Sequence, residues 1–375
     1  MKQVVGLMLS FCLCAAVEGS PVLAEEMSNY ELTQSIKQLE EKVDAGRIAE
    51  GWANRLCFSG VLEAEAAWES MDYADRAPAD AAAGDVALAT MALGVDAAIN
   101  DHVSARFLLL WEEDDTEPVD LDEGFLTIGG GSGFPAFLAA GRMVVPFGNF
   151  ASNMVSDPLT LEFGETRESA IQVGVGAGGF YGSAYWFNGD IDAYDADSHL
   201  DNFGAHAGVA MEKADFSFNI GGSYINSLLD SDGWSDALEE AMASSEAGLD
   251  EYVAGVGAHA VVCAGPLMFI AEYVSALDAP EFVPDNGGVG FKGEEISAWN
   301  AELGFIFGLA GRAANAGIAC QGADGAGGFL PETRLMGTVG VEIFKATNLA
   351  LEYFHDEYEN KDEADGVTVQ LAVCF

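Results

Sequence analysis

The stretch that decides the fold is residues 56–69, which read LCFSGVLEAEAAWE. Its apolar side chains occupy alternate positions: Leu56, Phe58, Leu62, Ala64, Ala66 and Trp68. The positions between them carry Cys57, Ser59, Glu63, Glu65 and Glu69. Successive side chains of a β-strand point to opposite faces, so this segment is predicted to be a strand with one apolar and one acidic face. A membrane barrel requires this pattern, because one face contacts lipid and the other a wet lumen.

The end of the sequence repeats this alternation. Between Val367 and Phe375, apolar residues at odd positions alternate with small or polar residues at even positions. A strand of a soluble sandwich could show the same pattern. An aromatic residue at the end of an alternating final strand is, however, the usual ending of barrels inserted by the outer-membrane assembly machinery. The sequence therefore predicts an outer-membrane barrel with Phe375 as its assembly signal, and with that machinery and outer-membrane lipid as partners.

Sixteen segments of the sequence have strand character, which is an even number, as barrels require. They lie near residues 57–69, 85–99, 102–111, 121–129, 134–145, 168–176, 179–187, 203–212, 215–226, 251–263, 266–276, 296–306, 309–320, 334–344, 348–356 and 366–375. The predicted fold class is all-β: a transmembrane antiparallel β-barrel of about 16 strands over residues 55–375.

The connections between these segments alternate between short and long, as in barrels with tight periplasmic turns and long outer loops. The link at Asn100 and Asp101 is short, whereas residues 146–167, 227–250 and 277–295 form long loops. Aromatic residues near the segment ends are predicted to form girdles at the membrane interfaces. They are Trp111, Phe147, Phe150, Tyr185, Trp186, Phe187, Tyr353 and Phe354.

The first 24 residues have the features of an export signal. Lys2 supplies a positive charge, residues 4–17 an apolar core, and residues 22–24 a cleavage site of the A-x-A type. Cleavage is predicted after Ala24, so the chain is expected in the bacterial outer membrane.

Residues 25–51 are predicted to form a periplasmic helical segment ahead of the barrel. Leu32, Ile36, Leu39 and Val43 are spaced by four, three and four residues, which is the seam of a short coiled coil. Two heptads are marginal alone, so the segment either oligomerises with help from the barrel or packs as a single amphipathic helix. The sequence leaves both alternatives open, and with them a homo-oligomer.

The composition excludes some classes of partner. The chain has 15 basic and 61 acidic residues, a formal net charge of −46, with 50% hydrophobic residues and 45 glycines. Such a charge makes nucleic acid an implausible partner and anions poor cargo, so small cationic or neutral solutes are expected. Alternatively, the acidic loops only keep the surface solvated or bind divalent ions that bridge lipopolysaccharide.

Four stretches resemble the LbtU-type siderophore porin family of outer-membrane β-barrels. They are residues 107–117 (FLLLWEEDDTE), 141–150 (GRMVVPFGNF), 156–169 (SDPLTLEFGETRES) and 347–358 (TNLALEYFHDEY). The similarity runs from about residue 55 to the end, and the helix before the barrel is similar too. The resemblance implies a channel for uptake of a ferric siderophore. No energy-coupled plug domain is expected, because only about 30 residues separate the cleavage site from the first strand.

The long loop at residues 146–167 is the third in order, where general porins fold a loop inward. It carries Asp157, Glu162, Glu165 and Arg167, and Arg142 precedes it. Acidic and basic groups that face each other would create a transverse field across a constriction, which selects solutes by charge and dipole. The alternative is a loop that lies over the rim.

Acidic residues are also expected along the lumen. The alternation places Glu63, Glu65, Glu302 and Glu342 on lumen-facing strand positions, with few basic residues to compensate them. The channel is therefore predicted to prefer cations. The acidic run at residues 112–123 is interpreted as a solvated outer loop.

The sequence indicates neither an enzyme nor a cofactor. The five histidines, at positions 102, 199, 206, 259 and 355, have no metal-ligand spacing, so a zinc site is not expected and the metal content stays unknown. His355 and Asp356 are adjacent on a strand, so they face opposite sides and cannot act together.

Four cysteines follow the predicted cleavage site. In an antiparallel seam between the first and last strands, Cys57 and Cys374 would both lie near the periplasmic rim on the lumen side. Directly opposed residues are close enough for a disulfide, and two free thiols are the alternative. The disulfide states of Cys263 and Cys320 stay open, since four cysteines allow three pairings.

Three functions fit these observations. The first is an outer-membrane channel for a ferric siderophore or a similar metal chelate, and the second is a general cation-selective porin. The third is a structural outer-membrane anchor with a periplasmic coiled coil.

Overall fold

The computed structural model describes residues 55–74, 81–113, 119–129, 134–191, 193, 200–235, 247–284 and 290–375. The export signal, the helical segment at residues 25–51 and its coiled-coil seam lie outside these residues.

Within the described residues, sixteen strands close into an antiparallel barrel, which confirms the predicted architecture. They are β1 (Leu56–Asp72), β2 (Ala81–Asn100), β3 (Val103–Trp111), β4 (Asp120–Gly129), β5 (Ala136–Val144), β6 (Arg167–Ala177), β7 (Phe180–Phe187), β8 (Asn202–Lys213), β9 (Phe216–Ile225), β11 (Gly255–Ala264), β12 (Leu267–Ala276), β15 (Ser297–Leu309), β16 (Arg312–Asp324), β17 (Thr333–Phe344), β18 (Thr347–Glu357) and β19 (Glu363–Cys374). Each pairs with its neighbours in chain order, and β1 closes against β19.

The long loops contain structure that the alternation did not predict. Three short strands form a separate sheet in the order β10, β13, β14: β10 (Ala247–Leu249), β13 (Glu281–Pro284) and β14 (Phe291–Lys292). A helix, α1 (Leu159–Gly164), lies between β5 and β6, and a 3-10 turn (Leu228–Asp230) follows β9. No helix among the described residues is long and apolar enough to cross a membrane.

The faces of the strands follow the predicted alternation. On β1, Leu62 and Trp68 are exposed on the outer surface, whereas Glu63 and Glu65 are buried inside. Such a barrel pairs its backbone groups between strands and presents apolar side chains outward, which is what a lipid environment requires. We call the end with tight turns the short-turn rim and the other end the long-loop rim.

The predicted aromatic girdles are only partly correct. Trp186 and Tyr353 are exposed on the outer surface, but Phe147, Tyr185 and Phe187 are buried in an interior cluster with residues of the long loops. They do not face lipid, because the loops fold into the barrel mouth and need apolar partners there. The most exposed phenylalanines lie instead at the short-turn rim: Phe58, Phe134, Phe180, Phe344 and Phe375.

The seam pairs the first and last barrel strands, as predicted, but in a different register. Cys374 lies opposite Val61, whereas Cys57 lies opposite Asp96 on β2. Cys57 is an exposed free cysteine, so the predicted bond between Cys57 and Cys374 is wrong. The physical reason is that β1 extends beyond the end of β19 at the short-turn rim, so that Cys57 lies four residues before Val61, the partner of Cys374. A register offset of this size moves a side chain by about 13 Å along a strand.

Candidate functional site: a loop across an acidic lumen

The loop at residues 145–166 crosses the interior of the barrel, in agreement with its predicted inward course. It begins after β5 and is bound by side chains of β12, β15, β16 and β18. Of these strands, β16 is eight positions from β5 in either direction around the ring of sixteen. The loop therefore reaches the opposite wall, where we call the glutamates that bind it the wall glutamates: Glu272, Glu302 and Glu352.

Glu272 on β12 binds the first part of the loop. Its carboxylate accepts hydrogen bonds from the backbone N–H groups of Asn149 (2.6 Å) and Phe150 (2.8 Å), and from the hydroxyl of Thr160 (3.1 Å). Gly148 permits this course, since it has φ +75° and an added Cβ would fall 2.3 Å from the ring of Phe150. The loop therefore turns here to place two successive N–H groups on one carboxylate.

The other wall glutamates repeat this arrangement along the loop. Glu302 on β15 accepts bonds from the N–H of Asn153 (2.5 Å), its side-chain amide (3.1 Å) and the hydroxyl of Ser152 (2.9 Å). Glu352 on β18 accepts bonds from the N–H groups of Val155 (2.5 Å) and Ser156 (3.0 Å), and from the Ser156 hydroxyl. The three carboxylates thus bind the loop at intervals of about three residues.

Apolar contacts support the same course. Met154 packs with Ala319 of β16 and Met336 of β17 in a small buried cluster. Further along, the N–H of Leu159 donates to Oε1 of Gln321 (3.0 Å), and Phe163 of α1 is fully buried in the large interior cluster. The loop is therefore fixed to the wall by carboxylates, an amide and side-chain packing together.

The two arginines that were predicted to form a basic side of the constriction do not do so. Arg142 shares the outer face of β5 with Leu138 and is exposed, so it does not line the lumen. Arg167 is buried and forms ion pairs with Asp122 (3.0 Å), Asp232 (2.9 Å) and Glu165. Glu165 and Arg167 therefore neutralise each other in contact and do not face each other across a gap. The prediction of a transverse field between these acidic and basic groups is therefore wrong.

Asp157 of the predicted constriction lies near acidic residues of the loop itself, of β1 and of the segment after β3. Asp157 of the loop is in electrostatic contact with Glu162, Glu165, Glu112 and Glu63. Burial, reinforced by these negative neighbours, raises the pKa of Asp157 well above its usual range. Glu112 follows β3 and is buried, so the interpretation of residues 112–123 as a solvated loop fails at this residue.

The remaining predicted glutamates have distinct positions. Glu65 faces inward beside Glu63 and accepts a hydrogen bond from the side-chain amide of Gln370 (2.8 Å). Glu302 faces inward as the alternation predicts, but it binds the loop. Glu342 lies near the turn between β17 and β18, where it accepts the N–H of Ala346 (3.3 Å).

Two interior arginines did not appear among the predicted site residues. Arg106 on β3 forms ion pairs with Glu123 (2.7 Å) and Asp96 (3.5 Å). Arg334 on β17 donates to both oxygens of Asp356 at 2.7 Å each. Their even positions, next to outward residues of the same strands, could have identified them as inward-facing.

The site offers no preformed metal centre in the described part of the chain. No group of three or more His, Cys, Asp or Glu residues there could hold a metal ion. His355 lies beside Asp365 (3.0 Å), on the opposite face of β18 from Asp356, as the alternation requires.

Asp230 fixes a second loop inside the mouth and gives a pH-dependent prediction. Its buried carboxylate accepts bonds from the N–H of Ile191 (2.8 Å) and the amide of Asn202 (3.0 Å). Burial raises the pKa of Asp230 to about 6. An acid with a raised pKa in the folded state binds its proton there first, so stability is gained as the pH falls through 6.

Hydrogen exchange of residues 228–231, corrected for the intrinsic rate, is expected to slow about tenfold between pH 7 and pH 5, which corresponds to about 1.4 kcal/mol. In Asp230→Asn the corrected exchange should depend less on pH over this range, and the dependence that stays belongs to Asp232, whose pKa burial also raises to about 6. Faster corrected exchange of the parent protein at pH 5 would contradict the assignment.

Comparisons with known proteins agree with this architecture. No family model matches the chain. It is 30% identical over 327 residues to the UPF0422 protein of Coxiella burnetii, which covers 85% of this chain and 68% of that protein. It is 27% identical over 316 residues to the UPF0422 protein lpl2888 of Legionella pneumophila, which covers 76% of this chain and 57% of that protein. The match thus spans little more than half of the Legionella protein.

Among solved structures, the chain resembles the outer-membrane channel DcaP of Acinetobacter baumannii. The TM-score is 0.59 at 13% identity, over 85% of this chain and 97% of that one. At this identity the likeness concerns the fold, which is that of outer-membrane porins. The closed barrel and its apolar outer surface place the protein in the bacterial outer membrane. By its similarity to the Coxiella protein along most of its length, the chain belongs to the UPF0422 family.

Proposed function

We propose that the protein is an outer-membrane channel that prefers small cationic or neutral solutes. The observation that carries this proposal is the loop at residues 145–166, which crosses the lumen and brings Asp157 near Glu63 of β1 and Glu112, which follows β3. A loop in this place narrows a barrel without an energy-coupled plug. A barrel that served only as an anchor would need no such loop.

The charges inside the barrel support the cation preference. Arg106, Arg167 and Arg334 each contact at least one carboxylate, so their charges are compensated locally. Glu63 and Glu65 lie on β1, and neither forms an ion pair with a basic residue in the part of the chain that the structure describes. A low-dielectric wall that carries one sign of charge concentrates counterions and repels ions of like charge.

Reversal potentials in planar bilayers test this preference. In a KCl gradient near 0.1 M, K⁺ is expected to be about ten times as permeant as Cl⁻. Near 1 M the ratio should fall towards unity, since the screening length shortens from about 10 Å to about 3 Å. Anion selectivity at low salt would refute the proposal, and a barrel without conductance would favour the anchor.

For the cargo, we propose a ferric siderophore or a similar metal chelate, on the resemblance to the LbtU-type family. A general cation-selective porin is the second candidate, because the acidic interior by itself selects only charge. Uptake of radioactive iron as defined chelates should fall in a deletion strain under iron limitation. An equal loss of uptake for unrelated cationic and neutral solutes would favour the general porin.

A further inference from the structure

A row of inward-facing residues crosses the barrel wall from β7 to β11. Tyr181 on β7 lies directly opposite Gly208 on β8. Gly208 lies opposite Gly221 on β9, and Gly221 lies opposite His259 on β11. An added Cβ would fall 2.2 Å from the Tyr181 hydroxyl oxygen at Gly208, and 2.7 Å from it at Gly221. The two glycines therefore leave the space in which the Tyr181 side chain reaches across two strands to His259.

His206 on β8 belongs to the neighbouring row and joins the same group of side chains. Its Nδ1 lies 3.1 Å from the hydroxyl oxygen of Ser183, which also accepts a hydrogen bond from the side-chain amide of Gln172 (2.9 Å). The centre of its ring lies 5.2 Å from the centre of the Tyr181 ring. Tyr181 thus contacts both histidines, and we call Tyr181, His206 and His259 the histidine wall.

His259 has a buried nitrogen that lacks a partner. The Tyr181 hydroxyl donates to Oδ1 of Asn219 (2.7 Å) and lies 3.3 Å from Nε2 of His259. Because a phenol has a single hydrogen to donate, Nε2 of His259 is the donor to the Tyr181 oxygen, and Nδ1 is left as an acceptor. His259 is 9% exposed, and its Nδ1 has no hydrogen-bond partner among the described residues. Since a buried polar atom without a partner is unfavourable, Nδ1 requires a donor from the lumen.

His206 presents the opposite chemistry. The Ser183 oxygen accepts the hydrogen bond from Gln172, so its own hydrogen is available for Nδ1 of His206. Nε2 of His206 then carries the ring proton and is a donor. In the part of the chain that the structure describes, this nitrogen makes no hydrogen bond, and the ring is only half-buried. The histidine wall therefore offers one donor and one acceptor to the lumen.

The start of the loop adds a third polar atom beside the wall. Glu272 on β12 lies directly opposite His259 and accepts the N–H of Asn149 (2.6 Å). In the next row, Ser223 on β9 accepts the N–H of Gly148 (3.1 Å). These two hydrogen bonds hold the start of the loop against the strands that carry the histidines. Oδ1 of Asn149 is buried and has no partner within the described residues, so it is a second acceptor.

These atoms indicate the kind of ligand. One donor and two acceptors are available, and none of the three groups has a permanent charge. A hydroxyl group both donates and accepts, so it can satisfy any of them. An ammonium group has no acceptor for Nε2 of His206, and a carboxylate has no donor for Nδ1 of His259. A carboxylate is also repelled by the acidic interior of the barrel.

We propose that the histidine wall, together with Asn149, binds uncharged solutes that carry several neighbouring hydroxyl groups. This inference deepens the proposed channel function, because it names a chemical class among the neutral solutes. It rests on that function for the conduction assay only.

Block of single-channel K⁺ current, measured at a pH where imidazole is uncharged, tests the inference with two probes. They are glucose and triethylene glycol dimethyl ether, two uncharged solutes of similar mass, of which the ether has no hydroxyl group. Glucose is expected to reach half of its maximal block at a concentration at least about tenfold below that of the ether, a difference of about 1.4 kcal/mol.

Two variants locate the site. His206→Phe and His259→Phe each keep an aromatic ring and remove its nitrogens, so each should raise the half-blocking concentration of glucose about fivefold, as loss of one neutral hydrogen bond predicts. His355→Phe is the matched control, because it makes the same exchange on the outer face of β18. It should change the block less than about twofold.

Equal potency of glucose and the ether, or a block by glucose that is unchanged in both His206→Phe and His259→Phe, would overturn the inference. His206 is half-buried, so its variant tests the site even if His259→Phe fails to assemble. If the protein does not conduct, the channel proposal fails by itself. Saturation-transfer NMR of glucose, with the protein in an amine-oxide detergent that has no sugar head group, then decides the inference separately. Transfer that is lost in both variants is the expected result, and no transfer to glucose would overturn the inference.

Discussion

Replacing the three wall glutamates together with alanine is expected to raise single-channel conductance severalfold. Each wall glutamate accepts three hydrogen bonds from the loop. A hydrogen bond to a charged group contributes about 1.5–3 kcal/mol. Loss of two such bonds, about 3 kcal/mol or more, is enough to change the population of a bound loop more than a hundredfold. The freed loop would leave the lumen wider.

Glutamine at the same three positions is the control. It keeps one acceptor oxygen at each site, so the loop should stay bound more often and the conductance should rise less than in the alanine variant. Heat-dependent migration on gels shows whether the variant barrels are closed. Closed barrels with alanine at all three positions and unchanged conductance would show that the loop is held by packing alone.

Removal of Phe375 is expected to prevent most of the protein from reaching the outer membrane. Phe375 pairs with Gly60 across the seam through two backbone hydrogen bonds, at 2.9 and 3.0 Å. Its ring is 72% exposed and lies over Gly60, where an added Cβ would fall 2.5 Å from it. Because the ring is so exposed, its burial contributes little to the free energy of folding. We therefore propose that its larger role is as a signal to the barrel assembly machinery.

Fractionation of cells measures this effect, with a protease-sensitive periplasmic form as the expected product. Phe344→Ala is the matched control, because that ring is 68% exposed at the same rim but is not at the end of the last strand. Gly60→Leu separates the two roles, since it displaces the ring and leaves Phe375 in the chain. Normal outer-membrane amounts of the truncated protein would refute the signal.

The barrel strands could be predicted from the sequence because lipid and lumen impose opposite demands on alternate residues. On β1 the alternation places Leu62 on the outer surface and Glu63 inside the barrel, independently of the rest of the chain. The same rule fails at the ends of strands, where the loops cover the wall. Arg167 begins β6 but lies buried among three carboxylates, and no local pattern distinguishes it from Arg142, which is exposed on the outside.

The site was predictable as a set of residues but not as an arrangement. The inward course of the third long loop could be predicted from its order along the chain, and the inward position of Glu302 from the alternation of apolar and polar residues. The hydrogen bond between the loop and Glu302 could not be predicted, because it joins residues about 150 positions apart in the chain. The register between β1 and β19 could not be predicted either, since an offset of an even number of residues keeps every side chain on the same face of the barrel. For this reason the faces of Cys57 and Cys374 were consistent with a pairing that the structure does not have.

The way the loop is bound has a consequence for how the family can diversify. Most of the donors to the wall glutamates are backbone N–H groups, which every residue except proline possesses. At Asn149, Phe150 and Val155, where only the backbone N–H donates, a change of side chain leaves the hydrogen bond available, provided that the length of the loop is kept and proline is absent. At these three positions the path of the loop and the chemistry of its side chains can therefore change independently of each other.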